Sequence, residues 1–296
     1  MPLKLSYQAT AIDNNKTLGD FLKKQNLSKK AVIALKHRGG KICVNETEKT
    51  TRHLISATDI VTVIFADEIV SRTLVPVKME IKILYEDDFL LVVDKKAGLP
   101  VIPTGSHDIG LANGLLAYYQ NIGLKSTVHF VNRLDKDTSG LMIIAKYRHI
   151  HHLMTAEKGL ITRKYYALVT GILKDSIRID QPIHRPSPTS VKRVVHPEGQ
   201  KAITHVEVLQ HFADKTLLIC SLETGRTHQI RVHLNHIGCP ISQDSLYGDG
   251  LPTDQQLLHS YFLEFKHPIN GQNLTFSTVI PERFGIKGGF KNGSKM

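Results

Sequence analysis

From Lys82 to Leu222 the sequence sets apolar, β-branched runs close behind one another, with few helical stretches between them. Strands that alternate regularly with helices build parallel α/β sheets, whereas strands in runs build antiparallel ones. The pattern predicts an α+β fold on a mainly antiparallel, mixed sheet. "KILYEDDFLLVVDKKAGLPVIP" reads as two strands broken at Asp87-Asp88 and then a Gly-Pro loop. "GLMIIAK" reads as a buried strand and "TRKYYALVTGIL" as another. "ITHVEVLQHF" and "KTLLICSLET" flank "ADK" like a hairpin. Helices are expected at "LANGLLAYYQNI", at "YRHIHHLMTAEKG" up to Gly159, and at "RTHQIRVHLNHIG". The last puts Ile230, Leu234 and Ile237 on one face and ends at Gly238.

The first part of the chain has a different character. Leu18, Phe21 and Leu22 are spaced as in a helix, and Ser28 is placed to cap a second one through Val32 and Leu35. "KICVN" and "DIVTVIF" read as short strands around the polar turn "NETEKT". We expect a small unit over residues 1–70, a charged connector near 67–76, and one large domain over 76–296. The tail "GIKGGFKNGSKM" is expected to fray.

The formal charge of +11 favours a polyanionic partner, most simply nucleic acid. Between Lys16 and Ile64 ten lysines or arginines face four acids, a net of +6, so more than half of the excess lies in a sixth of the chain. Lys23, Lys24, Lys29, Lys30 and Arg38 could sit on phosphates, which give affinity without sequence information. The plainer reading is a solvated helix face. Cys43, Cys220 and Cys239 are far apart and form no Cys-x-x-Cys, which argues against a disulfide framework or zinc site and for a reducing cytosol. No signal peptide and no membrane span are expected. "HIHH" at 149–152 lacks a partner ligand at a recognised spacing and reads as a polar helix face rather than a metal site.

Four stretches carry candidate chemistry: "DKKAGLPVIP", "NRLDKDTSGLMIIAK", "RKYYALVTG" and "ETGRTHQIRVHLNHIGCPISQDSLYG". Together, and in this order, they resemble the RluA/RluD-type RNA pseudouridine synthases. Residues 17–66, with helix, helix, Arg-Gly-Gly and strand, resemble an S4-type RNA-binding domain, a common companion in that family. The resemblance implies a pseudouridine-synthase-like catalytic domain behind a small α+β S4-like domain.

The implied reaction breaks the C1′–N1 bond of uridine, turns the base and rejoins it through C5. It needs no redox step, and we expect no cofactor and no metal. One carboxylate can act as nucleophile or base, and Asp135 matches the family's catalytic aspartate. Attack on C1′, attack on C6 and proton removal from C2′ all remain open. Arg231 matches the arginine that pairs with that carboxylate, a role suited to a permanently charged fork. Tyr165 matches the active-site tyrosine, which can stack on the flipped base and assist proton removal at C5. Tyr166 should face the other way on a strand. Arg133 matches the arginine that helps hold the target nucleotide out of the helix, a step costing a few kcal/mol. Arg226 and Thr227 stand where a helix begins; Thr227 is expected as its N-cap, and the helix start could favour an RNA phosphate. An isolated Arg-x-Asp pair is more often structural than catalytic; the ordered motifs reverse that reading.

Three positions depart from the familiar form. Asn132 stands where His is usual, Lys96 where Pro is usual, and Gln243 where Gly is usual. The expectation is a cytoplasmic, monomeric enzyme acting on ribosomal RNA, most simply of the large subunit. A tRNA substrate, or a non-catalytic RNA-binding or ribosome-assembly protein, is the alternative.

Overall fold

The computed structural model describes residues 2–27, 29–68, 73–103, 105, 108–156 and 161–286. Three expectations lie outside these residues: Ser28 as a cap, Gly159 as a helix end, and fraying over 287–296.

The N-terminal part holds β1 (Lys4–Gln8), α1 (Leu18–Lys24), α2 (Lys29–His37), β2 (Lys41–Val44), β3 (Thr47–Glu48) and β4 (Ile60–Ile64). Its four strands form an antiparallel sheet in the order β1-β4-β2-β3. Thr17 caps α1 by accepting the Asp20 N–H at 3.1 Å. Leu18, Phe21 and Leu22 of α1 and Val32 and Leu35 of α2 share one core with Ile42, Val61 and Val63. Leu3 and Leu5 are committed elsewhere: they pack with Leu90, Val92 and Leu263 of the larger sheet. Phe65 then stacks on His149 at 4.8 Å, and Glu68 takes His129 Nε2 at 2.7 Å and the Arg148 N–H at 2.6 Å.

The larger part continues with β5 (Lys82–Glu86), β6 (Leu90–Lys95), α3 (Leu111–Asn121), β7 (His129–Phe130), β8 (Ser139–Ala145), α4 (Arg148–Thr155), β9 (Ile161–Thr170), β10 (Ile177–Asp180), β11 (Ile183–His184), β12 (Val194–Val195), β13 (Ile203–His211), β14 (Lys215–Leu222), α5 (Gln229–His236), β15 (Leu258–Lys266) and β16 (Asn273–Ser277). Ten of these strands make one sheet, ordered β10-β13-β14-β9-β15-β8-β6-β5, with β7 on β8 and β16 on β15. Among the described residues its pairs are antiparallel except β15 on β8. The expected mixed, mainly antiparallel sheet is present. At the parallel junction Gly140 has φ +111, and a Cβ there would lie 2.2 Å from the Ser260 carbonyl oxygen. Only glycine lets the two backbones approach this closely.

The central strands are apolar on both faces because both faces are covered. Met142 and Ile144 of β8 join Leu91 and Val93 of β6 under Leu111, Leu115 and Tyr119 of α3. Leu141, Ile143 and Ala145 point the other way, onto Ile150 and Met154 of α4. The same period of two places Tyr165, Ala167 and Val169 of β9 in the first core and Tyr166 and Leu168 in another. Tyr166 stacks on Tyr261 at 3.9 Å, on the face away from Tyr165. Helix α5 lays Ile230 and Leu234 on the first core, with Ile237 partly buried beside them and Gly238 at φ +77 closing it.

Of the "HIHH" segment, His152 is exposed as a polar face requires, but His149 departs from that reading. Ile150 is core, and His149 lies under Phe65, where burial, aided by nearby His152, pulls its imidazole down to about 4. Among the described residues no group of three or more His, Cys, Asp or Glu could hold a metal ion, and no helix is long and apolar enough to cross a membrane. All three cysteines are free and buried.

Candidate active site

The loop that joins β7 to β8 carries Asn132, Arg133, Leu134 and Asp135, and it is tied down from several sides. Asn132 is buried and acts as a substitute peptide. Its Oδ1 accepts the Ile143 N–H at 2.8 Å and its Nδ2 donates to the Leu141 carbonyl at 3.4 Å. That pairing extends the β7–β8 ladder by one residue and explains how Asn serves there. The Thr138 N–H returns to the Asp135 carbonyl at 3.2 Å, and Thr138 Oγ1 accepts from Gln256 at 2.8 Å. Lys95, 2% exposed, donates to the carbonyls of Lys96, Leu99 and Lys136 at 2.8–3.0 Å. Burial pulls its ammonium down to about 7, opposed by Asp137 and Asp135. Three carbonyl acceptors nevertheless call for the three N–H of the charged form.

Asp135 stands on this loop at the wall of a cleft of about 540 Å³. Its Oδ2 accepts Arg231 Nη1–H at 2.8 Å. The rest of the guanidinium fork is committed: Nε and Nη2 donate to the two carboxylate oxygens of Asp244 at 2.7 and 2.8 Å. Asp244 is fully buried and its Oδ1 also accepts the N–H groups of Leu246 and Tyr247. Burial disfavours both charges, yet each is reinforced by the other. Asp244 is held below the usual carboxylate range, and Arg231 is pushed above the usual guanidinium range by Asp244 and Asp135. The ring of Tyr247 covers the guanidinium, 5.1 Å from its carbon.

Tyr165 enters the same cleft from β9. It is 5% exposed, and burial raises its phenol despite Arg163 and Ser260. In the resting site it is therefore a hydroxyl, not a phenolate. Arg163, two residues earlier on the same face, also lines the cleft. Its Nε is buried without a hydrogen-bond partner, and no carboxylate pairs with it among the described residues. Its guanidinium lies against Gly225, where a Cβ would come within 3.0 Å of Nη1.

The cleft thus gathers Asp135, Tyr165, Arg231, Arg133, Arg226 and Thr227. Arg133 is exposed and has no ion-pair partner among the described residues. Arg226 is tied to the Lys201 carbonyl and to Gln200. Thr227 corrects the sequence reading: it does not cap α5. His228 is the N-cap, at φ 58, and its carbonyl takes the Val232 N–H. The turn closes one residue later because Gln229 Oε1 accepts the Arg226 N–H and the Thr224 hydroxyl. Lys23, Lys24, Lys29, Lys30 and Arg38 are not cleft residues but lie exposed on the N-terminal unit. Lys24 is partly engaged by the buried Asp13 at 2.9 Å, whose carboxyl is held down to about 2 by Lys24 and Thr10.

Sequence reasoning passed over Asp244, His228, Tyr247, Arg163 and Lys95. All five lie in the four quoted motifs beside residues that were singled out. A signal for Asp244 was its place in "SQDSLYG", the Asx-turn pattern of a short acid before a tight turn. Gln243, just before it, adopts φ +62, a conformation glycine takes freely, and its N–H is held by Asp249 at 2.9 Å. Lys96 is exposed and pairs with Glu80 at 2.7 Å.

The RNA pseudouridylate synthase family matches residues 89–236, which carry the Asp135 loop, β9 and α5. Over 271 residues the chain is 38% identical to an uncharacterised RNA pseudouridine synthase of Bacillus subtilis, YjbO, across 90% of this chain and 96% of that one. It is 38% identical over 228 residues to the ribosomal large subunit pseudouridine synthase D of Haemophilus ducreyi, across 71% of this chain and 70% of that one. Its fold is similar to human RNA pseudouridylate synthase domain containing 1, with a TM-score of 0.56 at 22% identity over 67% of this chain and 83% of that one. The chain belongs to the RNA pseudouridine synthase family. It is an isomerase that converts uridine in RNA to pseudouridine.

Proposed function

We propose that the protein isomerises one or more uridines of large-subunit ribosomal RNA, with Asp135 as the reacting carboxylate. The observation that carries this reading is the Asp135–Arg231–Asp244 arrangement at the cleft wall. Asp244 fixes the guanidinium, the guanidinium holds one oxygen of Asp135, and the rest of that carboxylate stays open to a nucleotide. Ribosomal RNA is favoured because relatives named ribosomal large subunit pseudouridine synthase D cover most of the chain.

Tyr165 forms an aromatic wall for the flipped base. Its hydroxyl serves as a relay for the proton that leaves C5 when C5 bonds to C1′. Arg231 is the fixed partner of Asp135. Arg133, Arg163 and Arg226 receive the phosphates of the extruded segment, and half-buried Arg163, whose Nε has no hydrogen-bond partner, is the best suited to an incoming anion. Thr227, at the cleft mouth, contributes a hydroxyl to the same backbone. We assign residues 1–70 to an S4-like RNA-binding unit and 76–296 to the catalytic domain. Lys23, Lys29, Lys30 and Arg38, with Lys24 in a lesser part, hold the RNA backbone, in a cytoplasmic setting.

The test is to map pseudouridines in ribosomal and transfer RNA from cells lacking the protein, then restore them with purified protein. Loss and recovery at a large-subunit position supports the assignment. A change confined to transfer RNA overturns the substrate, and no change in any RNA overturns the proposal.

A further inference from the structure

The carboxylate of Asp135 has a second neighbour besides Arg231. His228 Nε2 faces the same oxygen, Oδ2, at 3.8 Å. On its other side His228 Nδ1 lies 3.0 Å from the Tyr247 hydroxyl. That hydroxyl oxygen accepts the backbone N–H of Arg193 at 2.7 Å. With an N–H already directed at the oxygen, the hydroxyl's own hydrogen is free to point at Nδ1. A neutral imidazole that accepts at Nδ1 carries its proton on Nε2. The imidazole is held toward neutrality by burial first, then by Arg231 and Arg193, against the opposing pull of Asp135 and Asp244. In that tautomer the Nε2–H is turned to Asp135.

We propose that His228 is a positioning residue for Asp135, and that its tautomer is fixed through Tyr247 by the loop that carries Arg193. This rests on Asp135 being the reacting carboxylate. At 3.8 Å the contact is too long for a hydrogen bond. Contacts of this kind shorten when substrate fills a site. Both donors then converge on Oδ2. Oδ1, which has no hydrogen-bond partner among the described residues, is left as the oxygen that meets the nucleotide.

The backbone supports the same role. His228 is the N-cap of α5 at φ 58, and it lines the cleft. The Arg193 loop is itself suited to RNA: residues 183–201 carry Arg185, Lys192, Arg193 and Lys201 against the single acid Glu198. Lys192 also lies over the Tyr247 ring, 5.9 Å from its centroid. RNA that seats this loop thereby also sets Tyr247 and, through it, the imidazole beside Asp135.

Two substitutions separate this role from simple support of the helix start. His228→Asn keeps a residue that tolerates the left-handed backbone and reaches only as far as Nδ1. His228→Gln places an N–H where Nε2 stands. We expect Asn to lower the single-turnover rate at saturating RNA by about tenfold or more, as misplaced reacting groups do, with little change in RNA affinity. We expect Gln to recover most of that loss, and Tyr247→Phe to lower the rate in the same direction as Asn. If Asn is as fast as the parent, or Gln is no better than Asn, the inference is wrong. Asp135→Asn is measured alongside: an active Asp135→Asn enzyme overturns the catalytic assignment itself, whereas an inactive one with a fully active His228→Asn overturns only the role of His228.

Discussion

Arg231 gives Nη1 to Asp135 at 2.8 Å while the other edge of its guanidinium is already bound to a different carboxylate. The ion pair at Asp135 is therefore one-sided. A guanidinium free to rotate could grip Asp135 with both nitrogens and hold it out of reach. Asp244 prevents that by occupying Nε and Nη2. Only a planar fork can serve two carboxylates in this way; a lysine ammonium cannot.

The first prediction concerns Asp244. Asp244→Ala leaves a buried guanidinium without its main partner, and breaking a buried pair by removing one member costs about 3–5 kcal/mol. Urea unfolding should show that loss, and isomerisation should fall even where the variant is folded. A variant of parental stability and activity would contradict the arrangement.

A pH dependence follows from the same pair. The Asp244 carboxyl is held below its ordinary range in the folded chain. As pH falls, the unfolded chain takes up a proton first, near pH ~4. The stability contributed by the pair is present at neutral pH and is lost as pH drops through the lower folded value. Asp244→Asn lacks this group, so its stability should decline less steeply than the parent's between about pH 5 and 3. Equal slopes in unfolding curves taken across that window would count against the shift.

Much of this was legible in the chain. The two-residue period put Tyr165 and Tyr166 on opposite faces, and apolar runs in succession announced the antiparallel sheet. What the sequence could not show is long-range geometry. Asn132 reads as an anomaly until its side chain is seen replacing a peptide beside Ile143. Thr227 is a good capping residue by type, but Gln229, reaching back to Arg226, moves the helix start. Arg231 and Asp135 lie 96 residues apart, so only the motif order suggested the pairing, and nothing local revealed that Asp244 holds it.

Tyr165→Phe tests the relay. It keeps the aromatic wall and removes the hydroxyl. General acid–base groups typically contribute ~10²–10⁴-fold. We expect single-turnover isomerisation to fall by at least the lower figure, about 10²-fold, with RNA affinity largely kept. A rate near that of the parent would leave Tyr165 as a packing residue.

Arg163→Gln tests the unpaired cation in the cleft. If it takes an RNA phosphate, affinity should weaken and the dependence of binding on salt should flatten by about one unit of slope. Because no carboxylate pairs with the guanidinium among the described residues, stability should not fall. Unchanged salt slope would remove Arg163 from the RNA-binding set.

The basic N-terminal face is better tested by charge than by deletion. Leu3 and Leu5 pack on the large sheet, so removing residues 1–70 would expose that core. Replacing Lys23, Lys29, Lys30 and Arg38 by Gln leaves the packing intact, since all four are exposed. Binding should weaken, and its salt slope should flatten by roughly 0.7–0.9 for every RNA phosphate that is no longer neutralised. A parental slope in filter binding over a salt series would show that this face is only solvated.

The central claim is that Asp135 performs the isomerisation. Joining C5 to C1′ expels the hydrogen on C5, so tritium release from large-subunit RNA labelled at C5 of uridine reports the reaction directly. With Asp135→Asn, which keeps the size of the side chain and a group for Arg231 to approach, release should stop while RNA binding persists. Release at the parental rate from that variant would contradict the account.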